Sequence, residues 1–98
     1  ALESIIVPEG IEYIHNAFEY CKGLRTIYLP STIKSIGSRA FNDCNLSEIH
    51  CKSKFPLQID WISNWLYNLG NPIIYVPKGS KELYENANYW KNYEIREE

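Results

Sequence analysis

The chain has 98 residues, of which 45% are hydrophobic and 22% are charged, a composition that is ordinary for one small globular domain. Its formal net charge of −2 argues against a nucleic-acid partner, because such proteins need a basic surface. No apolar run approaches the roughly 18 residues that a membrane-spanning helix needs, so we expect no insertion into a membrane.

Two consecutive segments of the chain repeat one pattern of apolar residues. The segment that begins at Leu24 repeats the segment that begins at Leu2 with an offset of 22 residues, and Pro30 repeats Pro8 at the same offset. An Ala-Phe pair recurs in the later part of both segments. A regular spacing of this length is typical of a solenoid, in which each repeat forms one coil and stacks on the next.

Short strands are predicted wherever two apolar residues flank a third residue, because side chains along a strand point alternately to opposite faces. Proline follows three of the four such pairs and ends the strand, since it has no N–H group to donate. Successive pairs are 22, 22 and 25 residues apart, so we expect four stacked parallel strands with these pairs facing the core. The pairs are Ile5/Val7, Ile27/Leu29, Ile49/Cys51 and Ile74/Val76.

The segments that return the chain from one strand to the next are predicted to contain helical or 3₁₀ turns. In the second coil Ile33 and Ile36 have helical spacing, and Phe41 is expected to point back under the sheet. The third coil departs from the pattern, and there we predict a helix that Asp60 caps and that ends at Gly70. One face of this helix would carry Trp61, Trp65, Leu66 and Leu69.

The segment after Pro77 is rich in aromatic residues and is predicted to form a lid over the core. Ser80 is a candidate N-cap for a helix that runs to about Tyr89. A stack of coils needs such a lid, because its last core layer would otherwise be open to water. The apolar residues of the lid are Leu83, Tyr84 and Ala87, which are expected to face inward, followed by Trp90, Tyr93 and Ile95.

The repeated unit resembles a known family. The pattern L-x-x-I-x-L-P-x-x-I-x-x-I-G-x-x-A-F-x-x-C, as it stands from Leu24 to Cys44, is similar to the BspA-like (Treponema-type) leucine-rich repeat. The segment I-Y-V-P-K-G-S that begins at Ile74 resembles the C-terminal capping segment of such proteins in Bacteroides-type bacteria. The resemblance implies an α/β leucine-rich-repeat solenoid with a short parallel β-sheet, helical or 3₁₀ return segments and a C-terminal helical cap. The single domain, 1–98, then comprises repeats at about 2–23 and 24–45, a divergent coil at 46–72 and the capping segment at 73–98.

The same resemblance implies a function in binding. Proteins of this kind are secreted or attached to the bacterial surface, where they act as non-catalytic scaffolds for protein partners and for adhesion. The motif carries no enzymatic residues and no metal or cofactor site, and the sequence has no P-loop, G-x-S-x-G or dinucleotide-binding glycine motif. The alternative is a purely structural role, as the C-terminal cap of a longer repeat protein with no ligand of its own.

The three cysteines are expected to be buried thiols that behave as small hydrophobic side chains. Cys21 and Cys44 occupy equivalent positions in successive coils, so a disulfide between them is a less favoured alternative. A zinc site would need closely spaced Cys or His pairs, which the sequence lacks. His50 and Cys51 cannot form a catalytic pair, because adjacent strand residues point to opposite faces.

The outer face of the predicted sheet, which points away from the core, is the candidate partner-binding surface. Its side chains form two columns, and the second column is mostly apolar and aromatic. Binding patches favour tyrosine over lysine or glutamate, so this column is a candidate for partner contact. The alternative is an aromatic ladder that only stiffens the sheet. The first column contains Ser4, Thr26 and Glu48, and the second contains Ile6, Tyr28, His50 and Tyr75.

A carbohydrate ligand is a further possibility. Trp61, Trp65 and Tyr67 could form a platform that stacks on sugar rings. We expect instead that both tryptophans close the side of the third coil and that only Tyr67 is exposed.

The N-terminal end of the stack is expected to expose apolar side chains and an unpaired strand edge, because no lid precedes Leu2. We expect that further repeats cover this end in a longer parent chain, or that two copies of the 98-residue chain associate there. The side chains concerned are Ile5, Val7, Ile11, Ile14 and Phe18.

Overall fold

Within residues 3–15, 18, 21–41, 43–59, 65–66 and 69–98, which the computed structural model describes, the chain forms seven short strands. Every strand pair is parallel. The strands are β1 (Ser4–Ile6), β2 (Tyr13–Ile14), β3 (Thr26–Leu29), β4 (Ser35–Ile36), β5 (Glu48–Cys51), β6 (Ile73–Val76) and β7 (Ile95–Glu97), and helix α1 (Lys81–Glu85) and a 3₁₀ turn (Trp90–Asn92) lie between β6 and β7.

Five of the described strands form the main sheet, in the order β1-β3-β5-β6-β7. Ile5 lies opposite Ile27, Ile27 opposite Ile49, and Ile49 opposite Ile74. Equivalent side chains of successive coils therefore lie above one another and point into the core, where Ile27, Ile49 and Ile74 are fully buried. This confirms the predicted solenoid and its register.

The strand β7 was not predicted. Ile95 pairs with Ile74, so the lid itself adds a strand to the sheet. The only signal in the sequence is the spacing of 21 residues between these isoleucines, which is close to the repeat length. Glu97 stands where a second inward apolar residue would be expected, and this is why the strand pattern does not reveal β7.

Turns rather than helices return the chain in the described parts of the first two coils, so the prediction of helical return segments is wrong there. β2 and β4 form a second parallel sheet, in which Ile14 lies opposite Ile36. Backbone groups of neighbouring coils satisfy each other, as where Gly37 N–H donates to the Ile14 carbonyl at 2.7 Å. These bonds between coils remove the need for hydrogen bonds within a helix.

A row of contacting aromatic rings runs through the core from the first coil to the lid. Phe41 is fully buried, as predicted, and its ring stacks on Phe18 at a centroid distance of 5.4 Å. Its other neighbour is Trp65, at 5.8 Å and edge to face. Trp65 contacts Trp90 at 5.4 Å, and Trp90 contacts Tyr84 at 5.1 Å. The row links the repeats to the lid through side-chain packing, in addition to the pairing of β7 with β6.

The predicted helix of the third coil falls largely outside the described residues. Trp65, Leu66 and Leu69, which were assigned to its inner face, are buried. Gly70 has a φ of +92°, a backbone conformation that glycine adopts readily. Residues 60–64, which include the predicted cap Asp60 and Trp61, are not described.

The lid helix α1 is shorter than predicted, because it ends at Glu85 and not near Tyr89. Tyr84 is buried as expected, whereas Leu83 is 46% exposed and was wrongly assigned to the core. A helix of little more than one turn buries only a narrow face, and Tyr84 alone occupies it. The 3₁₀ turn then places Trp90 in the core.

The start of α1 is capped by a residue from the end of the chain. Ser80 precedes the helix as predicted, but its side chain makes no capping hydrogen bond. The Glu97 carboxylate accepts from the N–H groups of Gly79 and Lys81 at 2.9 and 3.2 Å instead. β7 and α1 therefore hold each other in place.

Candidate functional site

Three aromatic rings stack at the centre of the outer face. β3, β5 and β6 place Tyr28 opposite His50 and His50 opposite Tyr75. The ring centroids are 4.3 and 4.6 Å apart, and the planes lie within 17° and 8° of parallel. The predicted alignment of the second column is confirmed, and its three rings are in stacked contact.

His50, the middle ring, lies between two carboxylates. Its Nδ1 is 2.9 and 3.0 Å from the carboxylate oxygens of Glu98, and its Nε2 is 2.9 Å from Oε1 of Glu48. The side chain of His50 is 11% exposed, because the two tyrosine rings cover its faces. His50 therefore belongs to the candidate binding face but is largely shielded from solvent.

Accessibility along the columns rises toward the N-terminal end of the sheet. Ile6 is 66% exposed and Ser4 is also exposed, because no described strand lies beyond β1. The remaining predicted residues of the outer face are half-buried, and they are Thr26, Tyr28, Glu48 and Tyr75.

Two residues that the sequence pattern did not indicate extend the columns. Ile73 lies opposite Glu48, and Arg96 lies opposite Tyr75. Arg96 donates to the Glu94 carboxylate from Nε and Nη2, both at 2.6 Å, and the hydrogen bond raises the pKa of the guanidinium group. Arg96 could be assigned to the face only once β7 was known.

The three cysteines are free thiols. Cys51 faces the core, on the opposite side of β5 from His50, and burial raises its pKa to about 12. Cys44 is also buried, its thiol donates to the Phe18 carbonyl at 3.0 Å, and burial raises its pKa. Cys21 is only half-buried, so the expectation of three buried thiols holds for two of them. Thiols with raised pKa values are poor nucleophiles near neutral pH.

The other candidate sites find little support in the described residues. No described group of three His, Cys, Asp or Glu side chains could hold a metal ion. Trp65 is 1% exposed and packs in the core, so it cannot stack on a sugar, while Trp61 and Tyr67 lie outside the described residues. None of the described helices has the length and hydrophobicity needed to cross a bilayer.

Comparison with known proteins agrees with the geometry. Residues 1–87 match the BspA type leucine-rich repeat region, in six copies. Neither the curated proteins nor the solved structures provide a significant match. The family match covers most of the chain, and the described coils stack in parallel register as a leucine-rich repeat requires. The chain belongs to the BspA-type leucine-rich-repeat family.

Proposed function

We propose that this chain is a non-catalytic protein-binding scaffold of a secreted or surface-attached bacterial protein, and that its partner binds the outer face of the main sheet. The observation that carries the proposal is the parallel register, which aligns side chains from five strands on one continuous face. BspA-type leucine-rich repeats are repeat modules used in protein interaction, and they are typical of surface or secreted bacterial proteins.

The central contacts of this interface would be made by Tyr28 and Tyr75. Both rings are half-buried and stacked on His50, so they lose little side-chain entropy when a partner binds. His50 covers one face of each ring, and the remaining half-buried surface of the two tyrosines would contact the partner.

The charges beside the stack would contribute specificity. Glu48 and Glu98 have side chains that are 41% and 47% exposed, although each also contacts His50. A partner that presents a basic or hydrogen-bond-donating surface at this point would match them.

The proposal is tested by screening the 98-residue chain against an array of purified extracellular-matrix and serum proteins. The double variant Tyr28→Ser/Tyr75→Ser should lose at least tenfold in affinity for any protein captured, since buried interface tyrosines are often worth more than about 1 kcal/mol each. The matched control is Tyr13→Ser/Leu83→Ser, which truncates two exposed residues away from the outer face. Equal affinities of the two double variants would rule out binding through this face.

A purely structural role is the second candidate, and one observation favours it. The middle ring of the column is almost covered, and its nitrogens contact Glu48 and Glu98 rather than solvent. In this case the Tyr28→Ser/Tyr75→Ser change would lower the stability by about 1 kcal/mol and change no affinity. Measuring unfolding and binding on the same variant separates the two candidates.

A further inference from the structure

The segment that leads into β5 carries a group of polar residues that the candidate binding face does not use. Asn45 is followed by Leu46 and Ser47, which is the acceptor sequence for N-linked glycosylation, a modification in which the asparagine receives the sugar. Asp43, two residues before Asn45, adds a carboxylate that a basic side chain of a transferase can bind. The three polar side chains that such an enzyme would recognise therefore lie within residues 43–47.

The fold exposes these three polar residues and buries the two residues between them. Asp43, Asn45 and Ser47 are exposed. Cys44 and Leu46 are buried in the core, where they are 3% and 2% exposed. A sugar on Asn45 would therefore extend into water, and the fold would not have to rearrange to hold it.

The side chain of Asn45 rests against a glycine of the third coil. Its Oδ1 lies 2.6 Å from where a Cβ atom on Gly70 would be placed, so the glycine leaves room for the amide group. The backbone carbonyl of Asn45 accepts from Arg25 Nη1 at 3.0 Å, but no hydrogen bond joins its side-chain amide to another described residue. No described residue therefore competes for the nitrogen atom that would carry the sugar.

The backbone of the same segment is held by other coils. Leu46 N–H donates to the Leu69 carbonyl at 2.9 Å, and Ser47 N–H donates to the Arg25 carbonyl at 2.7 Å. A transferase that binds this segment in the folded chain would have to break these bonds and withdraw Leu46 from the core. The unfolded chain has neither obstacle, so it is the better acceptor.

We propose that Asn45 receives an N-linked oligosaccharide before the chain folds, and that the transferase recognises Asp43 and Ser47. The donor is an oligosaccharide on a lipid diphosphate. The bond between its anomeric carbon and the diphosphate breaks, this carbon bonds to Nδ2 of Asn45, and Nδ2 loses one proton to a base of the transferase. The lipid diphosphate is the leaving group. This modification rests on the proposed function only in that the chain has to leave the cytoplasm.

The first test exports the 98-residue chain, behind an added signal peptide, in a bacterial host that expresses an oligosaccharyltransferase and its lipid-linked donor. The mass of the intact chain should rise by one glycan, and peptide mapping should place the glycan on Asn45. Ser47→Ala and Asp43→Asn should each lower the glycosylated fraction at least tenfold. The matched control Ser4→Ala removes another exposed hydroxyl and should leave the fraction unchanged.

Because the signal peptide is supplied, the result of this test does not depend on the proposed location of the protein or on a partner at the outer face. A chain that is exported without gaining mass would overturn the proposal. A glycosylated fraction that Ser47→Ala or Asp43→Asn leaves unchanged would also overturn it.

A second test determines whether glycosylation precedes folding. The purified wild-type chain and the variant Ile27→Asp/Ile49→Asp, in which two charges replace fully buried side chains and should unfold the protein, are incubated with the transferase and its donor. Circular dichroism verifies that one chain is folded and the other is not. The unfolded variant should be glycosylated at least tenfold faster, and equal rates would overturn the proposed order of the two events.

Discussion

The first and last of the described coils differ in how far their apolar side chains are covered. At the C-terminal end Tyr84 and Trp90 are each 1% exposed and cover the last core layer. At the N-terminal end Ile6 and Tyr13 are 66% and 56% exposed around an open hollow. Both ends belong to the same repeated architecture, so stacking alone does not close the core. Closure requires large side chains from outside the repeat pattern.

The lid also satisfies the polar backbone of the irregular third coil. Tyr84 Oη donates to the Ser53 carbonyl at 2.8 Å, and Trp90 Nε1 donates to the Leu57 carbonyl at 2.8 Å. These carbonyls do not belong to a described strand or helix and need partners when they are buried. The aromatic residues of the lid therefore supply both apolar area and hydrogen-bond donors, and no described residue of the first coil does the same.

The largest difference between the ends should appear when the stacked phenylalanines are truncated. Phe41→Ala removes a fully buried ring and should lower the free energy of unfolding by about 3–5 kcal/mol. Phe18→Ala removes a partly exposed ring and should cost no more than about half as much. Urea unfolding of both variants measures the difference, and equal costs would mean that the first coil is as well packed as the second.

A smaller effect is expected from a conservative change in the lid. Trp90→Phe leaves a cavity and removes the donor to the Leu57 carbonyl, so we expect a loss of about 2 kcal/mol. Tyr13→Phe at the open end changes an exposed residue and should stay within about 0.5 kcal/mol of wild type. Thermal unfolding of the two variants tests whether the lid contributes more to stability than the N-terminal end of the stack.

Two carboxylate contacts in different parts of the stack, Glu98 with His50 and Glu12 with Lys34, should differ by less. Glu98→Gln weakens a contact to a His50 side chain that is 11% exposed and should cost about 1 kcal/mol. Glu12→Gln breaks a pair with Lys34 whose side chains are 45% and 64% exposed, and it should cost almost nothing. Hydrogen exchange of the β7 amides should quicken only in Glu98→Gln. A similar response of β7 in both variants would mean that the Glu98 contact does not hold this strand.

The smallest effect concerns an exposed carboxylate between the first two coils. The Glu9 carboxylate accepts from Ser31 N–H at 3.0 Å and from Ser31 Oγ at 2.9 Å, and these bonds lower the pKa of Glu9. Because the folded state lowers this pKa, the contribution to stability is present above the ordinary pKa of a glutamate. It is lost as the pH falls through the lowered value.

An NMR titration of Glu9 tests this contact. Ser31→Ala removes the hydroxyl donor but keeps the backbone N–H, so the pKa of Glu9 should return only part of the way to its ordinary value. Unchanged chemical shifts of the buried core residues in the same spectrum would show that the variant remains folded. An unchanged pKa of Glu9 would show that the hydroxyl group does not contribute.

The repeated coils could be predicted from the sequence because each position of the repeat occurs in more than one coil. Ile27 is equivalent to Ile5 and Ile49, so three residues support one inference about register, and the structure confirms it. The burial of Phe41 followed for the same reason. Periodicity is a strong signal when a side chain packs against the equivalent side chains of neighbouring repeats.

The structure of the lid and the exposure of the outer face were harder to predict, because they depend on contacts that do not recur from coil to coil. Nothing near Ser80 in the sequence indicates that Glu97 caps α1, since the two residues meet only in the folded chain. The position of His50 on the outer face was predictable from alternation, but its burial depends on Tyr75 and on Glu98 at the far end of the chain. Local sequence patterns do not reveal such contacts between residues that are far apart in the chain.

Because every described strand of the main sheet runs in the same direction, a pulling force has a simple consequence. Tension on the C-terminal end would load the hydrogen bonds of β7 in sequence rather than all at once. After the lid has separated, each further event would release one coil of about 22 residues, or roughly 75 Å of extended chain. The molecule would therefore lengthen in discrete steps, and each step would correspond to the unfolding of one coil.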